Sequence, residues 1–328
     1  MEVKRMKDSV LQALRQSDGF VSGQKICALL GVTRAAVWKA VQILRSDGYL
    51  IEAQPRRGYR LAFEPDRLDR MKLAELLTTC RIGRSCEILA QVDSTNTLCR
   101  TRAREGASDG LVIAAEHQTA GRGRSGRTWH SDQCQALQFS LLLRPALPPS
   151  RAALITQIGA AAMAQALVSA GFEPQIKWPN DLLLNGKKVC GILTEMSCEL
   201  DRIHWVIMGV GLNVNQTDFP PDIEGIATSL AAVSGKTHDR TALLAKFLNA
   251  FEPLFDDYLA NPASPQALEI CRRRSSLTGR EISFTDDAGL AQKAIVLGID
   301  SVGRLEVRLA DGQLRRLLSG EVHLGHQK

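Results

Sequence analysis

The chain lacks the marks of several protein classes. Of its eight cysteines, Cys27, Cys80, Cys86, Cys99, Cys134, Cys190, Cys198 and Cys271, no two form a C-x-x-C pair and none has a histidine at zinc-finger spacing. That argues against a disulfide scaffold or a zinc ribbon and predicts mostly buried free thiols in a reducing compartment. Met1-Glu2-Val3-Lys4-Arg5 is too charged for a signal peptide, so a cytoplasmic location is expected. No repeat of roughly 20–50 residues and no low-complexity tract is visible. Charge is missing from one long stretch: Ala152 to Phe172 runs 21 residues without it, close to a membrane-span length. Eight alanines, with Thr156, Gln157, Gly159, Gln165 and Ser169, make it read as a buried helix close-packed through small residues. No membrane association is expected.

What is present suits a globular protein. The 328 residues are 45% apolar and 23% charged, enough for two or three domains. The net charge of +6 is uneven: residues 1–63 hold 11 basic and 5 acidic side chains, and the remainder balances to zero. A small basic module on a neutral body suits a polyanion partner, although a merely solvated basic surface would look the same.

That module reads as short helices. Val10, Leu11 and Leu14 give one apolar face, Ser22 caps a helix through Leu30, and Thr33 caps another to about Arg45. Val37, Val41 and Leu44 form its core stripe, leaving Arg34, Trp38, Lys39, Gln42 and Arg45 on the other face. Asp18 and Asp47-Gly48 mark turns. A strand, a turn carrying Arg56 and Arg57, and a second strand follow, over residues 49–63. Helix–turn–helix plus basic hairpin predicts a winged helix-turn-helix over 1–65. Its candidate DNA contacts are Ser22, Thr33, Arg34, Trp38, Lys39, Arg45, Arg56 and Arg57. Pro65 and Asp66 start a linker. Residues 72–270 alternate strand-like runs with helices, an α+β body on a mixed sheet. Residues 275–328 hold short strands separated by turns, Asp287-Ala288-Gly289 among them, and predict a small β-barrel.

Two motifs carry chemistry. From Gly121 to Arg127 there are three glycines and three arginines in seven residues. Glycine lets backbone amides approach an oxyanion, and arginine offers fixed cationic forks for phosphate or carboxylate. Such a loop should be mobile until an anion orders it; an Arg-Gly nucleic-acid tract is the alternative. Lys177-Trp178-Pro179-Asn180-Asp181 through Leu193 reads as strand, Asn-Gly hairpin, strand, with Asp181 near Lys187 and Lys188. Alone it would be an ordinary hairpin.

Together with Asp93-Ser94-Thr95-Asn96 and Gly209-Val210-Gly211-Leu212-Asn213, in that order, these motifs resemble the biotin–protein ligases. With the winged helix in front, the chain resembles the bifunctional ligase and biotin-operon repressor over essentially its full length. The resemblance implies a class II synthetase-like central domain and a C-terminal SH3-like barrel. It implies that biotin attacks the ATP α-phosphate to give biotinyl-5′-AMP, which then biotinylates a lysine of the biotin carboxyl carrier protein of acetyl-CoA carboxylase. No tightly bound cofactor is implied; biotin and Mg²⁺-ATP are substrates. The adenylate would act as corepressor of a homodimer on operator DNA.

Carried over by position, Ser94, Thr95, Asn96 and Gln118 resemble biotin contacts. Gly121, Arg122, Gly123 and Arg124 resemble the loop closing over biotin and adenylate phosphate, with Arg127 and Trp129 continuing it. Lys188 resembles the lysine on biotin and phosphate oxygens, with Lys187 its structural neighbour; Asp181 resembles the acidic residue near Mg²⁺. Asn180, Gly191, Gly209 and Asn213 resemble further wall and nucleotide contacts. Asn215–Ser229 matches less well, and no adenine-stacking residue is assignable there. A lipoate or octanoyl ligase of the same superfamily and a non-enzymatic biotin-sensing repressor are the rivals.

Overall fold

The computed structural model describes residues 2–17, 19–46, 49–64, 66–129, 134–263, 265–285, 290–318 and 322–324. The expected turn residues Asp18, Asp47-Gly48 and Asp287-Ala288-Gly289, and the linker residue Pro65, lie outside them. The chain divides into two units, Met1–Asp66 and Arg67–Lys328.

The first unit holds α1 (Glu2–Arg15), α2 (Gly23–Leu30), α3 (Arg34–Ser46) and a hairpin of β1 (Leu50–Gln54) and β2 (Gly58–Phe63). The Ser22 hydroxyl accepts the Lys25 amide at 3.1 Å, and that of Thr33 accepts the Ala36 amide at 3.2 Å. Each cap satisfies an amide that the first helical turn leaves without a partner. Val37, Val41 and Leu44 are buried with Val10, Leu14, Ile26 and Ile51, which turns Arg34, Trp38 and Lys39 outward.

The second unit is built on a seven-stranded sheet. Its strands are β3 (Cys86–Leu89), β4 (Val112–Ala115), β5 (Ala136–Leu143), β6 (Gln175–Lys177), β7 (Asp181–Leu184), β8 (Lys187–Cys198) and β9 (Ile203–Asn213). The spatial order is β3-β4-β5-β9-β8-β7-β6, parallel between β3 and β4 and antiparallel elsewhere. The helices are α4 (Arg70–Leu76), α5 (Thr95–Arg104), α6 (Ala153–Val168), α7 (Leu230–Ser234), α8 (Arg240–Ala260) and α9 (Gln266–Arg273).

Strand periodicity divides the sheet into two faces. Leu137, Phe139, Leu141 and Leu143 of β5, and Val206, Met208, Val210 and Leu212 of β9, join the core with α6 and α8. Phe247, Phe251 and Phe255 of α8 stack in a row, with Phe139 edge-on to Phe247 at 5.1 Å between ring centroids. With its preceding turn, α6 is long and apolar enough to cross a membrane. It lies inside this core instead, with Ile155, Ile158, Ala161 and Leu167 fully buried. The alternate residues, Gln138 and Ser140 on β5, Gly209, Gly211 and Asn213 on β9, and Gly191 on β8, lie on the opposite face, where α5 sits.

One irregularity matters. Plain alternation along β8 would send Lys188 into the core with Cys190 and Ile192. Leu182 pairs with Cys190 but Leu183 pairs with Lys188, so Val189 is an extra residue in a β-bulge. Val189 and Cys190 both enter the core, and Lys188 comes out on the opposite face.

The C-terminal strands are β10 (Glu281–Thr285), β11 (Ala291–Ile299), β12 (Leu305–Leu309), β13 (Leu314–Leu317) and β14 (Val322–Leu324). They pair antiparallel in the order β13-β12-β11-β10-β14; the described pairings form an open sheet. β14 was not anticipated from sequence. Ile282, Phe284, Val296 and Val307 share one apolar core with the central sheet. The turn before β12 reaches in: the Gly303 carbonyl accepts the Trp178 indole N–H at 2.9 Å and the Gln157 amide at 2.6 Å.

All eight cysteines are free thiols; four are buried, while Cys80 and Cys198 are exposed. Burial pushes Cys86, Cys99 and Cys271 up to about 12, which leaves them protonated and inert.

Candidate active site

The face bearing α5 opens into a cavity of about 830 Å³. It is lined by Ser94, Thr95, Asn96, Gln118, Arg122, Gly123, Arg124, Arg127, Trp129, Asn180, Asp181, Lys188, Gly191, Gly209 and Asn213. Of the central residues singled out from sequence, Gly121 and Lys187 are not on that wall. Gly121 belongs to the loop itself, where an added Cβ would lie 2.7 Å from the Trp129 carbonyl.

One end of the cavity is a neutral hydrogen-bond network. Gln118 Oε1 accepts the Thr95 amide at 2.7 Å and the Thr95 hydroxyl at 3.0 Å. Ser140 Oγ donates to Thr95 Oγ1 at 2.8 Å or to Asn96 Oδ1 at 2.6 Å, and Gln118 Nε2 donates to Gln138 Oε1 at 2.7 Å. Asn96 Nδ2 donates to Glu195, which Arg100 pairs at 2.7 Å. Gln138 and Ser140 were missed in the sequence, although two polar residues inside the apolar run of β5 were a usable signal. Gly209 leaves the space Asn96 occupies: a Cβ there would lie 2.2 Å from Asn96 Oδ1. Gly211 does the same for the Trp129 ring, at 2.6 Å.

The other end is cationic. Segment Gly121–Trp129 is folded as a tight hairpin, with the Trp129 amide on the Gly121 carbonyl at 3.0 Å and the Gly123 amide on the Arg127 carbonyl at 2.7 Å. Arg124 crosses the cavity to donate to Asn180 Oδ1 at 2.8 Å. Lys188 Nζ lies 2.7 Å from Asp181 Oδ1, on a side chain 38% exposed. Lys187 points away, to the Glu224 carbonyl at 3.2 Å. The two neighbouring lysines are thus separated by the pleat and the bulge. Cys190, beside Lys188 in sequence, is fully buried, and burial pushes its thiol well up.

The segment after β9 closes over Lys188. The Lys188 amide donates to the Ile226 carbonyl at 2.7 Å, and the Thr228 amide to the Lys188 carbonyl at 2.9 Å. Phe219, Asp222, Ile223 and Ile226 line the cavity as a result, an assignment the Asn215–Ser229 stretch did not permit from sequence. Trp178 also lines the cavity, but its ring is buried and its N–H is spent on Gly303. Such an array can hydrogen-bond a neutral polar group at one end and hold anionic groups at the other.

In the first unit, Arg34, Trp38, Lys39, Arg45, Arg56 and Arg57 are exposed. Arg45 donates to the Ile51 carbonyl at 2.6 Å, and Arg57 lies 4.5 Å over the Phe20 ring. Ser22 and Thr33 serve their helices as caps.

Comparison with known proteins follows the same division. Residues 88–213 match the biotin/lipoate A/B protein ligase family, 7–60 an HTH domain, and 278–325 the biotin protein ligase C-terminal domain. The Bifunctional ligase/repressor BirA of Bacillus spizizenii is 37% identical over 97% of this chain and 98% of its own length. The Biotin--[acetyl-CoA-carboxylase] ligase of Mycobacterium tuberculosis is 34% identical over 73% of this chain and 89% of its own. A solved biotin protein ligase from Aquifex aeolicus, in complex with biotin and ATP, superposes with a TM-score of 0.63 at 27% identity, covering 74% of this chain and all of that one.

Proposed function

The chain belongs to the biotin protein ligase family, in its bifunctional ligase/repressor form, and from that premise we propose how its two units work. The second unit joins biotin to ATP and then to the biotin carboxyl carrier protein; the first binds operator DNA. A biotin carboxylate oxygen attacks the α-phosphorus of ATP, and the bond to the β-phosphate bridging oxygen breaks. Biotinyl-5′-AMP forms and pyrophosphate leaves. The acceptor lysine amine then attacks the biotinyl carbonyl carbon, AMP departs, and the amine loses its proton.

Neither step needs an enzyme nucleophile. The protein holds two anions together and offsets the charge that develops on the phosphoryl oxygens. The carrying observation is convergence: Lys188, Arg122 and Arg124 meet the Thr95–Asn96–Gln118 network in one cavity. On this reading the network takes the biotin ring end, with Ser94, Gly191 and Gly209 as close walls. Lys188 and Arg122 take the carboxylate and α-phosphate, and Gly121 shapes the loop that delivers them. Arg124, Arg127, Trp129, Asn180 and Asn213 take the nucleotide.

Magnesium keeps most of its waters and binds through one or two carboxylates plus substrate phosphates. Asp181, half-buried on the cavity wall, fits such a single protein ligand; among the described residues no cluster of three His, Cys, Asp or Glu side chains forms a cage. The ion would neutralise phosphate charge there.

The central unit is taken as class II synthetase-like. The C-terminal sheet is taken as an SH3-like barrel that supports ATP and acceptor binding. The first unit is a repressor module that works as a homodimer, with biotinyl-5′-AMP as corepressor, in the cytoplasm. ATP–pyrophosphate exchange tests the catalytic half. Exchange is expected with biotin and not with lipoate or octanoate; exchange driven by lipoate alone would overturn the substrate assignment.

A further inference from the structure

The most deeply buried charge among the described residues lies outside the cavity wall. Arg240, the first residue of α8, is fully buried, and its Nη2 pairs with Glu116 Oε2 at 2.7 Å. The pair sits at the two ends of the 116–136 connection, which carries the arginine-rich segment. Glu116 leaves β4 just ahead of His117 and Gln118, and its backbone carbonyl accepts the Cys134 amide at 3.1 Å. Arg240 Nη1 donates to the Ala136 carbonyl at 3.1 Å, at the start of β5. Both feet of the 116–136 connection are therefore held by one ion pair.

The same pair holds a third strand of chain. Glu116 Oε1 accepts the Leu68 amide at 2.7 Å, and the Asp69 amide donates to Thr241 Oγ1 at 3.1 Å. Lys72 pairs with Asp239 at 2.5 Å, next to Arg240. Residues 67–72, the first of the ligase unit, are thus stitched to the start of α8 and to the feet of the 116–136 connection. A buried pair of this kind is weak evidence for stability, because desolvation of both charges offsets their attraction. Its value lies in geometry: a salt bridge that accepts and donates at fixed angles holds three backbone segments in one arrangement.

We propose that Glu116 and Arg240 are positioning residues for the adenylation reaction: they fix the two ends of the 116–136 connection that carries the Gly121–Arg127 loop, and through Leu68 tie those ends to residues 67–72. Neither side chain touches substrate. The inference rests on the ligase reading above. In this account the loop closes over ligand as a hinged flap with set feet, and loosening the feet weakens closure more than it weakens the fold.

The test uses the full chain and limited trypsin digestion, since trypsin cuts after Arg122, Arg124 and Arg127. In the unmodified protein, biotin with Mg²⁺-ATP is expected to protect those bonds. The double variant Glu116→Gln with Arg240→Met removes both charges together and leaves neither buried alone. With ligands present its loop is expected to be cut about tenfold faster than in the unmodified protein, the scale of an ordinary site-to-site coupling. The KM for biotin in pyrophosphate exchange should rise by a similar factor with a smaller change in kcat. Thermal unfolding runs alongside; should the double variant not fold, Glu116→Asp, which keeps the charge pair but shortens its reach, decides by the same digestion. Protection equal to the unmodified chain, with or without a lower melting temperature, overturns the positioning role. An unmodified chain that ligands fail to protect while exchange proceeds overturns this inference alone; no biotin-dependent exchange would sink the ligase reading and this inference with it.

Discussion

At Lys188 a single ammonium group faces a half-buried carboxylate 2.7 Å away, on a side chain 38% exposed. So exposed an ion pair contributes at most about 1 kcal/mol to stability. Lys188→Ala should therefore leave the melting temperature almost unchanged while lowering biotin-dependent pyrophosphate exchange by about 100-fold or more, as expected for a charge aimed at a phosphoryl transition state. Near-normal exchange in that variant would remove Lys188 from the chemistry. Gly209 gives a sharper steric case, because a methyl group there would overlap Asn96 Oδ1. Gly209→Ala is expected to fold yet weaken biotin binding by about tenfold or more, read by titration calorimetry, since Asn96 must move and its partner Ser140 loses an acceptor. At this scale the sequence was informative where chemistry needs unusual residues close together, as in the Gly-Arg loop. For Ser140 and Gln138 it offered only two polar residues in an apolar run, and for Arg240 nothing, because their roles depend on partners tens of residues away.

Among the elements, α8 shows how a helix anchors a loop by charge. The Glu252 carboxylate accepts the amides of Cys80, Arg81 and Ile82 at 2.5, 2.9 and 2.9 Å. Burial alone would raise its pKa, but these three bonds and the nearby Arg81 outweigh it and hold the carboxyl below its ordinary value. Asp300 behaves alike: burial opposes, and bonds from Arg304 and Val302 prevail. A depressed folded pKa contributes stability that is present above the unfolded value and lost as pH falls through the folded one. The ligase unit should therefore lose stability in the acid range below about pH 4.5, the unfolded glutamate region. Glu252→Gln should cost about 2 kcal/mol at neutral pH, measured by urea unfolding, because an amide cannot accept all three bonds. That variant should also show a shallower acid decline; an unchanged pH profile would count against the assignment. The helices and most strands were legible because periods of 3.6 and 2 show in single windows. The bulge at Val189 was not, because a register shift exists only relative to the partner strand.

For the whole molecule, the division of charge anticipated the division of labour. The +6 excess of the chain falls within residues 1–63, and the structure separates Met1–Asp66 as its own unit. A chain lacking residues 1–66 should lose operator binding in a gel-shift assay; retained binding would end the repressor reading. Within the wing, Arg57 is partly committed to Phe20 and Gln54, whereas Arg56 is exposed at the tip. Arg56→Ala should flatten the salt dependence of DNA binding by about one unit of slope, with little effect on sequence preference. The order of segments was readable from the chain, but the way the C-terminal sheet serves the cavity was not. Trp178 directly precedes Pro179-Asn180-Asp181, and its indole is tied to Gly303 in the turn before β12. The last fifty residues are consequently no detachable accessory. Swapping them for those of a relative amounts to replacing a buttress, and tryptophan and turn would have to travel together for the Asn180–Asp181 end of the pocket to keep its shape.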